Sequence, residues 1–245
     1  MRFENKVAFI TGAGVGVGRA TALRMAEEGA KLALLDLNAE TLANVKKECE
    51  ALNAETLTFV CDISDEPAVI DTVQKTLAHF GKIDILVNNA AIWRAKGKFL
   101  ETPSETWRQY FEVNVLGTAN VTRAVLPNMV EREYGRIVNV ASIVGVYGKG
   151  GMCQYSATKA AVINFTHALA REVADKNITV NCVSPGTVSP SEEADITFYR
   201  TEPMCYMGRS GTDLENANLI CFLASDDTPY LSGQNILLDG CRKFI

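Results

Sequence analysis

The chain lacks most of the features that would take it away from ordinary globular enzymes and binding proteins. No apolar run reaches the roughly 18 residues of a membrane span, so no membrane partner is expected. The first apolar stretch, VAFITGAGVGVG, follows the charged RFENK and reads as a buried strand rather than a targeting segment. Positive charge is not in excess: 24 Lys and Arg stand against 29 Asp and Glu, a formal net charge of −5. That balance gives no electrostatic footprint for nucleic acid. There are only two histidines, His79 and His167, and none of the seven cysteines forms a CxxC pair. The usual zinc spacings are therefore missing, and no metal site is expected. Scattered cysteines, odd in number, also make no disulfide framework; free thiols in a reducing cytoplasm are expected. No repeat, low-complexity tract or linker divides the 245 residues, a length that suits one α/β domain.

What is present is an alternation. Short β-branched and aliphatic runs fall at 6–11, 31–36, 55–62, 83–89, 135–142, 177–185 and 234–239. Amphipathic stretches separate them at 17–29, 39–52, 65–80, 103–130, 153–175 and 212–224. Strands apolar along their whole length are buried on both faces, which implies a parallel sheet covered by helices. The right-handed crossover rule then favours a single-domain, Rossmann-like, doubly wound sheet of about seven strands. The alternation breaks at 186–211, which carries four acids and two arginines. A connection this long is expected to serve function.

TGAGVGVG (11–18) sits between the first strand and a helix. Glycines there let the backbone approach a pyrophosphate, and the helix start offers free N–H groups. The GxGxxG spacing is absent, because residue 17 is valine; TGxxxGxG stands instead, with Gly12, Gly16 and Gly18. Asp36 ends the second strand, where a carboxylate can accept both hydroxyls of an adenosine ribose. It would repel a 2′-phosphate: two like charges about 4 Å apart cost several kcal/mol at an effective dielectric near 20. Asp62, at the end of the third strand, is placed either for an adenine amino group, with Ile63 beneath the ring, or for a turn or cap.

Tyr155 and Lys159 are four apart and share one helix face. A phenol is a weak base at neutral pH, and a nearby ammonium favours the phenolate. Lowering its pKa by three units requires about 4 kcal/mol. Ser142, at the end of the fifth strand, can hold a substrate oxygen. These are parts for moving a proton while a hydride moves elsewhere.

Taken in order, nine features resemble the short-chain dehydrogenase/reductase family across the whole chain: TGxxxGxG, Asp36, CDIS (61–64), NNAA (88–91), Asn114, Ser142, YSATK (155–159), SPG (184–186) and LDG (238–240). The resemblance implies Tyr155 as general acid/base, Lys159 as its pKa modifier and a ribose contact, and Ser142 as orienter of the substrate oxygen. It implies that Asn114 holds a water in a proton relay; read alone, Asn114 is a polar residue inside a helix. The implied cofactor contacts run from Gly12, Gly16, Val17 and Gly18 through Asp36, Leu37, Asp62 and Ile63. They continue with Asn88 and Ala90 at the sheet centre, and with Pro185, Gly186 and Val188 around the nicotinamide. Three positions depart from the pattern. Ala91 replaces a glycine, Pro190 a threonine whose hydroxyl Thr187, Ser189 or Ser191 would have to supply, and Cys241 a glycine.

The expected function is an NAD-dependent oxidoreductase interconverting a secondary alcohol and a ketone. An NADPH-dependent 3-oxoacyl reductase is the rival, disfavoured because Val15 and Leu37 occupy places where a cation would meet the 2′-phosphate. A catalytically silent cofactor sensor on the same fold is a further alternative. A small or medium hydroxylated substrate is expected, such as a polyol, sugar derivative or sterol-like alcohol. Segment 189–208 reads as a lid with an apolar underside. By resemblance, the chain is expected to form a homotetramer, and Trp107, Phe111, Val115, Ala119 and Thr122 mark an apolar stripe on one long helix.

Overall fold

In the computed structural model, which describes residues 1–94, 96–188 and 194–243, the seven β-rich runs become seven parallel strands in one sheet. They are β1 (Val7–Thr11), β2 (Lys31–Asp36), β3 (Thr56–Val60), β4 (Ile85–Asn88), β5 (Gly135–Val140), β6 (Ile178–Pro185) and β7 (Asn235–Leu238). Their spatial order is β3-β2-β1-β4-β5-β6-β7. The winding reverses on either side of β1, and ligands of such sheets bind beyond the strand C-termini at that reversal.

Alternation along the strands divides the core in two. Ala8, Ile10, Leu32 and Leu34 pack with α1 (Gly16–Glu27), α2 (Ala39–Ala51) and α8 (Asp213–Leu223). Phe9, Ala33, Leu35 and Ile137 face the other way, onto α3 (Glu66–Phe80), α5 (Thr118–Glu131) and α7 (Cys153–Val173). Helix starts follow local chemistry. Asn38 accepts from the N–H groups of Glu40 and Thr41 ahead of α2, and Asp65 accepts from Ala68 ahead of α3. Thr212 and Glu215 form a reciprocal capping box at α8.

The amphipathic stretch 103–130 is not one helix. It divides into α4 (Ser104–Phe111), a π-helical segment (Glu112–Gly117) and α5. A 3.6-residue stripe cannot persist across that extra residue: Thr122 is buried, whereas Phe111 is 39% exposed. A short α6 (Val144–Tyr147) also forms just after β5.

The segment after β6 does not close as an apolar-faced lid. Phe198, Tyr199, Tyr206 and Met207 are exposed, and among the described residues of 194–208 only Cys205 is buried. Backbone bonds hold the segment in this pose. Ser210 N–H donates to Arg200 O at 2.8 Å, Leu214 N–H to Ile196 O at 3.0 Å and Tyr206 N–H to Cys241 O at 2.9 Å. Ser189, Pro190 and Ser191 lie outside the described residues.

Candidate active site

A cleft of about 690 Å³ opens over the C-terminal ends of the strands. Gly12, Gly16 and Val17 line one end, together with Asp36, Leu37, Asp62 and Ile63. Gly18 does not line it. A methyl there would collide with the Gly12 carbonyl oxygen, so this glycine serves the close packing of helix against turn. Gly14 N–H donates to Asp36 Oδ2 at 2.8 Å, and Asn38 N–H to Oδ1 at 3.0 Å. A Cβ on Gly14 would sit 2.9 Å from the Asp36 carboxyl carbon, so only glycine lets the turn grip that carboxylate. Asp62 accepts from Ser64 N–H at 2.9 Å and Ser64 Oγ at 2.7 Å. It thus closes a local turn while lining the cleft.

Asn88 is turned into the sheet rather than the cleft. Its Nδ2 donates to Thr122 Oγ1 and Asn139 Oδ1, both at 2.9 Å. The strand alternation decides this: Asn88 faces α5, and the next residue faces the turn. Asn89 lines the cleft instead. Its Nδ2 donates to Gly12 O at 2.9 Å and Thr11 O at 3.1 Å. Thr11 Oγ1 accepts from the N–H groups of Asn89 and Ala90, each at 3.1 Å. The pair Thr11 and Asn89 therefore ties the β1 turn to the β4 turn. Both stand within the quoted motifs, but only hydrogen-bond accounting across two strands reveals their role.

At the other end, Ser142, just past β5, meets Tyr155 and Lys159 of α7, with Pro185 at the end of β6 and Gly186 and Val188 beyond it alongside. Ser142 Oγ donates to Pro185 O at 3.5 Å and accepts from Val144 N–H at 3.4 Å, within reach of the Tyr155 phenol. Burial pushes the Tyr155 phenol above its ordinary value, and Ser142 opposes that rise. Lys159 is 3% exposed, and its Nζ donates to Val140 O at 2.8 Å. Burial lowers that ammonium to about 8. It lies 5.7 Å from the centroid of the Tyr155 ring. The local influence favouring the phenolate is thus the Ser142 hydroxyl, whereas the Lys159 ammonium is committed to the end of β5.

Asn114 is buried behind this group, in the middle of the π-helical segment. Its Oδ1 accepts from Ile92 N–H at 2.8 Å, and its Nδ2 donates to Ile92 O at 3.0 Å and Thr158 Oγ1 at 3.1 Å. It therefore joins the strand-β4 loop to the helix that carries Tyr155 and Lys159. π-helical turns concentrate at functional sites, and this one places Asn114 between the two. Among the described residues no cluster of acids, histidines and cysteines could hold a metal ion. Among them, too, no helix is long and apolar enough to cross a membrane.

Comparison with known proteins agrees with this geometry. The family model described as "short chain dehydrogenase" matches residues 6–197. The chain is 40% identical over 246 residues to a 3-oxoacyl-[acyl-carrier-protein] reductase of Thermotoga maritima, covering 98% of each. It is 39% identical over 250 residues to the BbsD subunit of a (2S)-[(R)-hydroxy(phenyl)methyl]succinyl-CoA dehydrogenase of Thauera aromatica, covering 99% of this chain and 98% of that one. Among solved structures, NAD+-bound xylitol dehydrogenase superposes with a TM-score of 0.91 at 35% identity, over 98% of this chain and 100% of that one. With its doubly wound sheet and its Ser142, Tyr155 and Lys159 grouping, the chain belongs to the short-chain dehydrogenase family and is an oxidoreductase.

Proposed function

We propose that the protein is an NAD(H)-dependent dehydrogenase that interconverts a secondary alcohol and a ketone. The observation that carries the cofactor choice is Asp36, gripped by Gly14 N–H within the cleft, with exposed aliphatic Val15 and Leu37 beside it. A carboxylate there suits two ribose hydroxyls and opposes a 2′-phosphate. The glycine turn leaves the room against the start of α1 that a pyrophosphate needs. Gly12, Gly16, Asp36, Ile63 and Ala90 would hold the adenosine half, and Lys159, Pro185, Gly186 and Val188 the nicotinamide half. The bound nicotinamide supplies the hydride acceptor or donor.

The chain's own residues manage the proton. Ser142 holds the substrate oxygen beside Tyr155, and the Tyr155 phenol takes or gives the proton at that oxygen. Lys159, held at the end of β5 by its bond to Val140 O, would reach the nicotinamide ribose. Asn114 fixes the Ile92 loop against α7 and so keeps Tyr155 and Lys159 in register with the cleft.

The names of the 3-oxoacyl-[acyl-carrier-protein] reductase and (2S)-[(R)-hydroxy(phenyl)methyl]succinyl-CoA dehydrogenase relatives favour a 3-oxoacyl thioester as substrate; the second reading joins that substrate to NADPH as reductant. Steady-state assays with NAD and NADP across free alcohols and acyl thioesters separate the two. The NAD reading expects kcat/KM for NAD to exceed that for NADP by about tenfold or more, as a like-charge clash of a kcal/mol or more implies. Equal use of both cofactors would overturn it. A homotetramer forms part of the proposal. Exposed Phe111 and Leu116 on the α4–α5 run, and Tyr230 and Leu237 near β7, are surfaces for copies of the chain to cover. Light scattering that returns the 26.6 kDa of a single chain would exclude it.

A further inference from the structure

Five cations line the cleft that the cofactor contacts leave unused: Arg94, Lys96, Lys149, Arg200 and Arg242. They come from four separate places in the chain. Arg94 and Lys96 follow β4, Lys149 lies between α6 and α7, Arg200 follows β6 and Arg242 follows β7. Backbone contacts bring them into two groups. Gly97 N–H donates to Gly151 O at 3.0 Å, which joins the Lys96 loop to the Lys149 loop. An antiparallel bridge between Cys205 and Arg242, with Lys243 N–H donating to Met204 O at 2.9 Å, joins the C-terminal turn to the Arg200 segment.

The charges are sorted by position in the sheet. Asp36 and Asp62 stand at the ends of β2 and β3, on one side of β1. All five cations stand on loops following β4 to β7, on the other side. The remaining acid of the cleft, Asp213, is buried at the start of α8. This sorting occurs in a chain of net charge −5, so average composition does not produce it. Cations elsewhere on the fold are largely paired, as Arg19 with Glu48, Arg132 with Asp84 and Arg209 with Glu215. Among the described residues, Lys96, Lys149, Arg200 and Arg242 make no ion pair, and Glu202 acts on Arg200 and Arg242 only through space. Glu202, the one described acid of 186–211 that acts on these cations, thus forms no ion pair with either.

Converging cations repel one another unless an anion enters among them, and in a concave site they concentrate anions from solution. Lysine supplies point charge, and the arginine fork matches a carboxylate or phosphate.

We propose that the substrate is an anion: a secondary hydroxy or keto compound whose carboxylate or phosphate is held by the basic rim of Lys149, Arg200 and their neighbours. This deepens the proposed dehydrogenase reading and rests on it, and it narrows the hydroxylated compound expected from sequence to one that carries a negative charge. The anionic group takes no part in the bond changes; it orients the carbon that reacts.

The test compares β-hydroxybutyrate, β-hydroxybutyryl-CoA and the neutral β-hydroxybutyramide in the parent protein and in Lys149→Ala and Arg200→Ala. The parent is expected to prefer a charged substrate to the amide. Each variant is expected to lose about tenfold more kcat/KM on the charged substrate than on the amide, mainly through KM. Preference for the free acid identifies a carboxylate as the anion, and preference for the thioester identifies the phosphates of coenzyme A. Equal use of acid, thioester and amide, with the variants unchanged in that ratio, would overturn the proposal. Calorimetry with malonate on the purified protein gives a readout independent of turnover. Malonate is expected to bind the parent and to bind both variants more weakly. Malonate binding without oxidation of any alcohol would remove the secondary-alcohol dehydrogenase reading and keep the anion site. Alcohol oxidation without malonate binding would do the reverse.

Discussion

The two ends of the cleft are built on different principles. At the Asp36 end, backbone does most of the recognition: a glycine turn, a helix start and a carboxylate gripped by Gly14 N–H. At the Tyr155 end, side chains from β5, α7 and the later loops meet, and their chemistry decides what is bound and what is transformed. The first design tolerates little change of sequence, because a single Cβ at Gly14 or Gly18 meets neighbouring atoms. The second keeps a short fixed core, Ser142, Tyr155 and Lys159, inside a rim that can be rewritten without disturbing the sheet. An oxidoreductase divided in this way holds its cofactor end constant while its substrate end varies.

The sharpest way to part the two ends is Tyr155→Phe. Loss of a general acid/base costs about 10²- to 10⁴-fold in rate, so turnover is expected to fall by about 10³-fold while NADH binding stays within a few-fold. Single-turnover kinetics with fluorescence titration of NADH measures both. Substantial residual turnover would mean that the proton passes through another group. The opposite intervention acts at the other end. Asp36→Ala with Leu37→Arg is expected to move the NAD-to-NADP ratio of kcat/KM by tens-fold towards NADP, since it removes a like charge and adds an opposite one. An unchanged ratio would show that Asp36 does not face the ribose.

The smallest effect concerns the acid on the basic side of β1. Burial raises the Asp213 carboxyl from 3.8 to about 6, with Arg19 opposing the rise. The folded protein therefore holds that proton more tightly than the unfolded chain. Stability contributed by this group falls as pH rises through the window from about 4 to 6, and the loss persists above it. Asp213→Asn stays neutral at every pH. It is expected to melt a few degrees above the parent at pH 7 and to lose that advantage at pH 4. Melting curves at the two pH values decide it, and a gap independent of pH would assign the effect to packing.

Legibility followed the same division. The seven strands were readable because near-continuous apolar runs leave few alternatives, and α1, α2, α3 and α8 began close to where the amphipathic stretches placed them. The glycine turn, Asp36 and the YSATK segment were readable because backbone geometry and chemistry fix residue type at fixed spacing. Asn88 supports the sheet centre through Thr122 and Asn139, while alternation at the end of β4 turns Asn89 rather than Asn88 to the cleft. The exposed pose of Phe198, Tyr199, Tyr206 and Met207 was not readable, because it depends on backbone bonds to distant segments such as Cys241. Of the basic rim, Arg94 and Lys96 stand together in IWRAKGKF (92–99); Lys149, Arg200 and Arg242 are far from them in sequence, and only the sheet order gathers the set.

The π-helical segment at Glu112–Gly117 acts as a phase shifter. In a regular helix each residue turns the side-chain direction by about 100°, so the orientation of the first turn dictates that of the last. One wider turn breaks that relation. α4 can then set Tyr110 edge-on against Tyr155 at 6.4 Å between ring centroids, while α5 independently presents Val121, Val125 and Met129 to the core. Deleting a single residue there would rotate one set of contacts out of place to save the other. A short stretch of uneven winding thus lets one continuous rod answer to two masters, the core and the chemistry.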